Sequence, residues 1–319
     1  MPHDHATHDH GHAAHAAHGH ANHGHAAANG DARRLRIALA LIVAFMAVEV
    51  GVAIAADSLA LLSDAAHMLT DAGALAFSLV ALRLAARPAR GAMTFGLRRA
   101  EILSAQANGI TLLLLAGFVV YAAVRRLIDA PHVHGVPVLA VAVAGMLVNL
   151  AATLAMSGAN RRSLNIEGSY QHLLTDLFGF IGTAIAAVVI LTTGFQRADP
   201  LVSLLIAALM LRSGTSLVRS SGRIFLEAAP EGLDPQAIGE ALVAHDGVVE
   251  VHDLHVWEVS SGFPALSAHV LVATDCDCHA ARRKLEELLR ERFGLDHTTL
   301  QVDHTVSDLL EIAPAIRRA

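Results

Sequence analysis

Two stretches decide the fold, ALLSDAAHMLTDAGAL at 60–75 and SYQHLLTD at 169–176. Each holds one copy of a five-residue pattern, HMLTD from His67 to Asp71 and HLLTD from His172 to Asp176, inside a long apolar run. Residues four apart lie on one face of a helix, so each copy aims an imidazole and a carboxylate at the same point. An ionisable group at the centre of a membrane helix costs roughly 3 kcal/mol on insertion scales, and where one occurs it marks a function. Two such pairs offer four N and O ligands, the number a tetrahedral zinc ion takes. Imidazole with carboxylate suits zinc, whereas a thiolate-rich set would suit copper(I) and an all-oxygen set manganese or magnesium.

The runs around these copies belong to a set of six, near 35–56, 58–86, 100–124, 137–157, 166–192 and 199–219. Each is long enough to cross a hydrocarbon core roughly 30 Å thick. With 54% hydrophobic and 16% charged residues among 319, the chain is too apolar for an ordinary soluble protein. Thirteen arginines, at 33–36, 83–99, 161–162 and 212–223, flank one side of a six-helix bundle, against Arg125, Arg126 and Arg197 on the other. The positive-inside rule therefore puts both termini in the cytoplasm. In that topology the second and fifth helices run antiparallel. His67 lies ten residues after Asp57 and His172 ten after Arg162, each about 15 Å from its own entry face at the rise of an α-helix, so the two pairs meet near the midplane. The net charge of −6 is segregated along the chain and identifies no partner; the lipid bilayer is the expected surroundings, and no nucleic acid partner is expected.

Either side of the helices the composition changes. Residues 1–30 read as a disordered, metal-collecting tail with ten histidines between His3 and His25. After Pro230 come a polar helical stretch from Asp234 to His245, alternating runs VVEVHDLHVWEVS and ALSAHVLVA, an amphipathic helix from His279 to about Phe293, and a last strand TLQVDH. The expected fold is an α-helical membrane protein of six transmembrane helices, over 31–222. It is joined to a small α+β ferredoxin-like domain of order α-β-β-α-β over 223–306, with a tail at 307–319.

Five segments carry a resemblance to the cation diffusion facilitator family, in its zinc-transporter branch. They are the 60–75 stretch, TFGLRRAEILSAQANG at 94–109, SYQHLLTD, FLEAAPEG at 225–232 and HDLHVW at 252–257. The resemblance implies a homodimer that exports divalent metal from the cytoplasm, generally in exchange for protons, with a metallochaperone-like cytoplasmic domain. It implies an integral protein of a bacterial inner membrane, with divalent metal ions and protons as substrates. It makes His67, Asp71, His172 and Asp176 the transport site, with His at the first position associated with zinc over cadmium. It points to His252, His269, His279, His297 and Asp303 as a binuclear or paired cytoplasmic Zn2+ site, regulatory or structural, and to Arg99 and Glu227 as a charge interlock. In the loop after the second helix, where some relatives bind metal, this chain has Arg90, Met93 and Leu97, and no metal is expected there.

Other residues leave alternatives open. Glu49, Asp64, Asn108 and Asn149 line the pathway, orient ligands or bond helix to helix, with Asp64 placed to orient His67 from one turn away. Cys276 and Cys278 in TDCDCH are either soft ligands beside His279 or loop thiols kept reduced. His132 and His134 either receive departing metal or are exposed turn residues. Trp257 is expected to pack in the core or a dimer interface. A tethered metal sensor would not need four ligands at the midplane. An intramembrane zinc enzyme is disfavoured because HExxH is absent and no spare acid serves as general base.

Overall fold

The computed structural model describes the backbone of residues 20–55, 59–128, 135–305 and 316–317. Its first part is built of α1 (His20–Ala55), α2 (Leu59–Ala85), α3 (Ala100–Ile128), α4 (Gly135–Met156), α5 (Leu164–Thr193) and α6 (Ala198–Phe225). Among the described residues, six segments are long and apolar enough to span a membrane: Gly30–Val52, Met68–Ala85, Ala100–Ile128, Val136–Met156, Leu164–Thr193 and Ala198–Phe225. Their surfaces are inverted relative to a protein in water. Leu114, Phe118, Ile128, Leu154 and Leu205 are 63–73% exposed, while Glu49, Asp71, Asn108, Asn149 and His172 are buried. Apolar outside and polar inside is the arrangement that a lipid solvent favours.

The helices pack in two groups. α1, α2, α4 and α5 share a core of Leu35, Ile42, Met68, Leu75, Met156, Ile166 and Leu173. α3 and α6 pack together through Leu112, Ala116 and Met210. There a Cβ built on Gly214 would lie 2.9 Å from the Gly109 carbonyl oxygen, so the two backbones touch and only glycine fits.

α1 begins earlier than the apolar pattern suggested. Its start at His20 lies inside the stretch read as a disordered tail, so the Ala-rich end of that stretch continues the first membrane helix. Extending an existing helix needs no new nucleus, so it runs on through the alanines despite the Gly and Asn residues among them. Residues 1–19, the outer-loop histidines His132 and His134, and 306–315 of the C-terminal tail lie outside the described residues.

The C-terminal domain has the expected order, α7 (Pro235–Val243), β1 (Val248–Ser260), β2 (Phe263–Val272), α8 (Cys278–Phe293) and β3 (His297–His304). A two-residue strand β4 (Ile316–Arg317), within the unassigned tail, adds to β1 opposite Glu250 and Val251. The sheet order is β3-β2-β1-β4, with β1 and β2 an antiparallel hairpin and β3 parallel to β2 across α8. One sheet face and both helices enclose Ile238, Leu242, Val251, Leu266, Val270, Leu285 and Leu289. Both helices start on an aspartate. Asp234 accepts from the Gln236 amide, with Pro235 in the first turn, and Asp277 accepts from His279 and Ala280. Those two amides hold the Asp277 carboxyl below the usual carboxylate range. The alternation expected along β1 breaks at Asp253, whose φ of 53° coincides with a register shift between His252 and His255.

Candidate metal centre

α5 runs beside α2, which brings His172 and Asp176 against Asp71. His172 Nε2 lies 3.0 Å from Asp71 Oδ1 and 3.7 Å from Asp176 Oδ2. One ligand atom from each of the three residues lies within 4.8 Å of the others, and no other such group of three occurs among the described residues. Asp71 is 5% and His172 2% exposed. Around a tetrahedral ion with bonds of about 2.0–2.1 Å, neighbouring donors stand about 3.3 Å apart. The observed 3.0 and 3.7 Å from His172 Nε2 bracket that spacing. The carboxylate nearest His172 comes from the other helix and not from its own HLLTD copy, a pairing that same-face spacing could not show. His67 is on α2, one turn before Asp71; its side chain and that of Asp64 lie outside the described residues.

Apart from Asn108, which the sequence offered as a helix-to-helix bond, the sequence also missed the polar shell on the side of the C-terminal domain. Ser78 sits at its centre. Its hydroxyl accepts from Ser169 Oγ at 2.8 Å and lies 3.5 Å from both Ser104 Oγ and Asn108 Nδ2, while its carbonyl accepts from Asn165 Nδ2 at 2.9 Å. The signal was present as spacing. Ser78 is seven residues after Asp71, and Ser169 and Asn165 are three and seven before His172, all on the site's own helix faces. Five polar residues thus join α2, α3 and α5 directly below the site.

In the C-terminal domain, His252 and His269 are cross-strand partners with ring centroids 5.4 Å apart, on the sheet face away from the helices. Glu250 Oε1 lies 3.2 Å from His252 Nδ1. The other three expected ligands are elsewhere. Asp303 accepts from Gln301 Nε2 at 2.9 Å, and His279 is exposed in the first turn of α8. His297 is packed between aromatic rings, 5.9 Å from Phe95 of the α2–α3 loop and 5.4 Å from Phe263. A single chain brings together two of these five, His252 and His269.

The two halves meet through that same loop. Arg98 lies over the Phe263 ring at 4.7 Å. Arg99 donates to the Val259 carbonyl at 3.2 Å and approaches Glu227 Oε1 at 3.3 Å. Arg99, Glu227, His255 and Trp257 line a cleft of about 1040 Å³ between the α2–α3 loop and the sheet. Trp257 therefore faces the junction of the two halves, half-buried.

A lipid-facing bundle with a buried imidazole, a buried carboxylate and a partly buried one at its centre, tied to an α+β domain, has the build of a membrane transporter for cations. Residues 35–226 match the cation efflux transmembrane domain and residues 230–305 the cytoplasmic domain of cation efflux proteins, so the chain belongs to the cation efflux family. It is an integral membrane transporter of divalent metal cations and not an enzyme, and it dimerises through the cytoplasmic domain. Among curated relatives, it is 37% identical to the cadmium, cobalt and zinc/H(+)-K(+) antiporter of Bacillus subtilis, over 84% of this chain and 88% of that one. It is 36% identical to the zinc transporter ZitB of Pectobacterium atrosepticum, over 88% of each. It is also 36% identical to the metal cation efflux system protein CzcD of Cupriavidus metallidurans, over 86% and 87%. The solved metal-bound C-terminal domain of the CzcD transporter is 30% identical over 22% of this chain and 97% of that one, with a TM-score of 0.21.

Proposed function

We propose that this chain exports zinc from the cytoplasm in exchange for protons, through a site made of His67, Asp71, His172 and Asp176. Its place is a bacterial inner membrane, with both termini cytoplasmic. The observation that carries the proposal is one buried imidazole nitrogen within 3.0 and 3.7 Å of carboxylate oxygens from two helices. His67, four residues before Asp71 on α2, supplies the fourth donor. Zinc binds neutral imidazole and ionised carboxylate, so loading displaces the proton that His172 and Asp71 share, and protons arriving from outside release the ion. Relatives named as a cadmium, cobalt and zinc/H(+)-K(+) antiporter and a zinc transporter support the same reading.

A second zinc site, regulatory or structural, is assigned to the outer face of the cytoplasmic sheet. His252 and His269 are its nucleus, and His279, His297 and Asp303, which stand apart in one chain, are donors of a binuclear or paired site that metal or a second subunit draws together. Arg99 and Glu227 interlock the membrane unit, taken as 31–222, with the cytoplasmic unit at 223–306. The test is metal uptake into proteoliposomes under an imposed pH gradient, comparing zinc, cadmium, cobalt and manganese. Wild type takes up zinc only with the gradient, Asp176→Ala does not, and His67→Asp widens the choice of ion. Zinc uptake by Asp176→Ala at the wild-type rate, or uptake indifferent to the gradient, overturns the proposal.

A further inference from the structure

The second half of α6, LRSGTSLVRSSGR at 211–223, carries a basic stripe. At about 100° per residue, Arg212, Ser216, Arg219 and Arg223 fall within an arc of about 60°. Met210, Gly214, Leu217 and Ser221, all buried, lie on the other side of the helix. Arg212, Ser216 and Arg219 are exposed, and Arg223 is partly so. The stripe reaches into the bilayer. Asp199, paired with Arg126, marks the outer end of α6. Arg212 follows 13 residues later, about 20 Å along the axis, and so stands about 10 Å short of the far side of a hydrocarbon core roughly 30 Å thick. Arg219 reaches that boundary and Arg223 passes it.

Nothing in the chain neutralises the stripe. Among the described residues, the side chains of Arg212 and Arg219 have no ion pair or hydrogen bond, and Arg223 donates to the Ala229 carbonyl at 2.8 Å. A guanidinium that faces lipid with no carboxylate beside it snorkels toward the nearest anion, which in a bilayer is a lipid phosphate. Where the stripe ends, the fold leaves room for a head group. A cavity of about 500 Å³ opens between the start of α5, the end of α6 and the β1–β2 turn, lined by Arg162, Ser220, Arg223 and Ser261 beside apolar Leu164 and Phe293. The Arg162 guanidinium is also without a partner among the described residues. Glu231 and Glu258 line the same cavity, and Glu258 accepts from the Gly262 amide. Four arginines against two carboxylates leave the whole site positive.

We propose that this face of α6 and the cavity below it bind one anionic phospholipid of the cytoplasmic leaflet. Arg219 and Arg223 stand about 6 Å apart along the axis, and the phosphate lies between them, where a guanidinium gives two N–H groups to two phosphate oxygens. The head group enters the cavity toward Arg162 and Ser220. The acyl chains follow α6 outward past Ser216, and Arg212 snorkels down to the same phosphate. A zwitterionic head group brings an ammonium against these arginines and is disfavoured, whereas a net negative one is drawn to them. The bound lipid joins the end of α6 to the start of α5. The site shares no residue with the metal ligands, and its test does not read transport.

Native mass spectrometry of the full chain in detergent, supplied with phosphatidylglycerol and phosphatidylcholine in equal amounts, counts the lipid that stays bound. Wild type retains phosphatidylglycerol in preference to phosphatidylcholine, and excess inorganic phosphate does not displace it. Arg219→Ala combined with Arg223→Ala lowers that retention roughly tenfold or more, as the loss of two juxtamembrane arginines predicts. Arg87→Ala combined with Arg90→Ala, in the loop after α2 on the same side of the membrane, leaves it unchanged. Equal retention of the two lipids by wild type overturns the proposal, a result independent of any folding defect in the variants. So does displacement by inorganic phosphate, which would make this a site for the free anion. Retention that survives the Arg219 and Arg223 substitutions, or falls equally with those at Arg87 and Arg90, overturns it as well.

Discussion

Asp71, His172 and Asp176 present one ligand atom each within 4.8 Å of one another in a single chain. The cytoplasmic histidines are more numerous but looser, with His252 and His269 rings 5.4 Å apart and His297 held between two phenylalanines. The difference follows from the solvent around each set. In a membrane an isolated carboxylate or imidazole has no water to satisfy it, so the groups must find one another before any ion arrives. On a sheet face open to water each group is solvated where it stands, and convergence can wait for metal or for a second subunit. Preformed and assembled sites should therefore respond differently to the same kind of substitution.

The largest effect is expected in the membrane. His172→Ala should lower gradient-driven zinc uptake by roughly a hundredfold or more, since even partners of metal ligands are worth 10–100-fold; uptake within a few-fold of wild type would remove the contrast. His252→Ala combined with His269→Ala should leave uptake within about fivefold while abolishing zinc bound at the outer sheet face, where each loose donor contributes less than a ligand in a closed set. Equilibrium dialysis of the detergent-solubilised chain measures that zinc. An equal collapse of transport would mean that the cytoplasmic site gates the membrane site.

Smaller effects test the supports. Ser78→Ala removes the hydroxyl that joins α2, α3 and α5. Interhelical hydrogen bonds in membranes average about 0.6 kcal/mol, so a loss of about 1 kcal/mol in unfolding stability is expected, with weaker zinc binding because Asp71 and His172 lose their shared backing. Unfolding in mixed micelles and competition with a zinc chelator separate the two. The Arg99–Glu227 contact is exposed on both sides. Its coupling in a double-mutant cycle should stay below about 1 kcal/mol, and a larger value would make it a principal joint between the halves.

Much of this architecture was legible because a bilayer leaves few choices. Twenty apolar residues in a row, repeated six times, have one solution, and α2 to α6 fall where those runs lie. The start of α1 did not show, because the His, Asn and Gly residues between the alanines upstream of Asp31 break the apolar run and helix propagation leaves no mark in hydropathy. In the C-terminal domain, period-two alternation gave the strands, but the bulge at Asp253 depends on a single backbone angle that aspartate does not announce. The HxxxD copies declared which residues face together. They could not declare that His172 lies closer to Asp71 than to Asp176, because the register of α2 against α5 is set by side chains such as Met68 and Leu173 far apart in the chain. His297 was visible as a donor and hidden as a packing residue, since Phe95 and Phe263 reach it only through the tertiary fold.

The touching backbones of Gly109 and Gly214 bear on how force travels through the molecule. With no side chain between them to roll or repack, α3 and α6 cannot shear past each other at that level and must tilt together as one beam. The beam is gripped at its lower end, where Arg99, just before α3, holds the Val259 carbonyl and Glu227, just after α6. A rotation of the cytoplasmic domain by a few degrees would therefore bear on α3 and α6 as a unit, and reach α2 and α5, which carry the metal ligands, through the contacts of Ser104 and Asn108 with Ser78 and of Ser78 with Ser169.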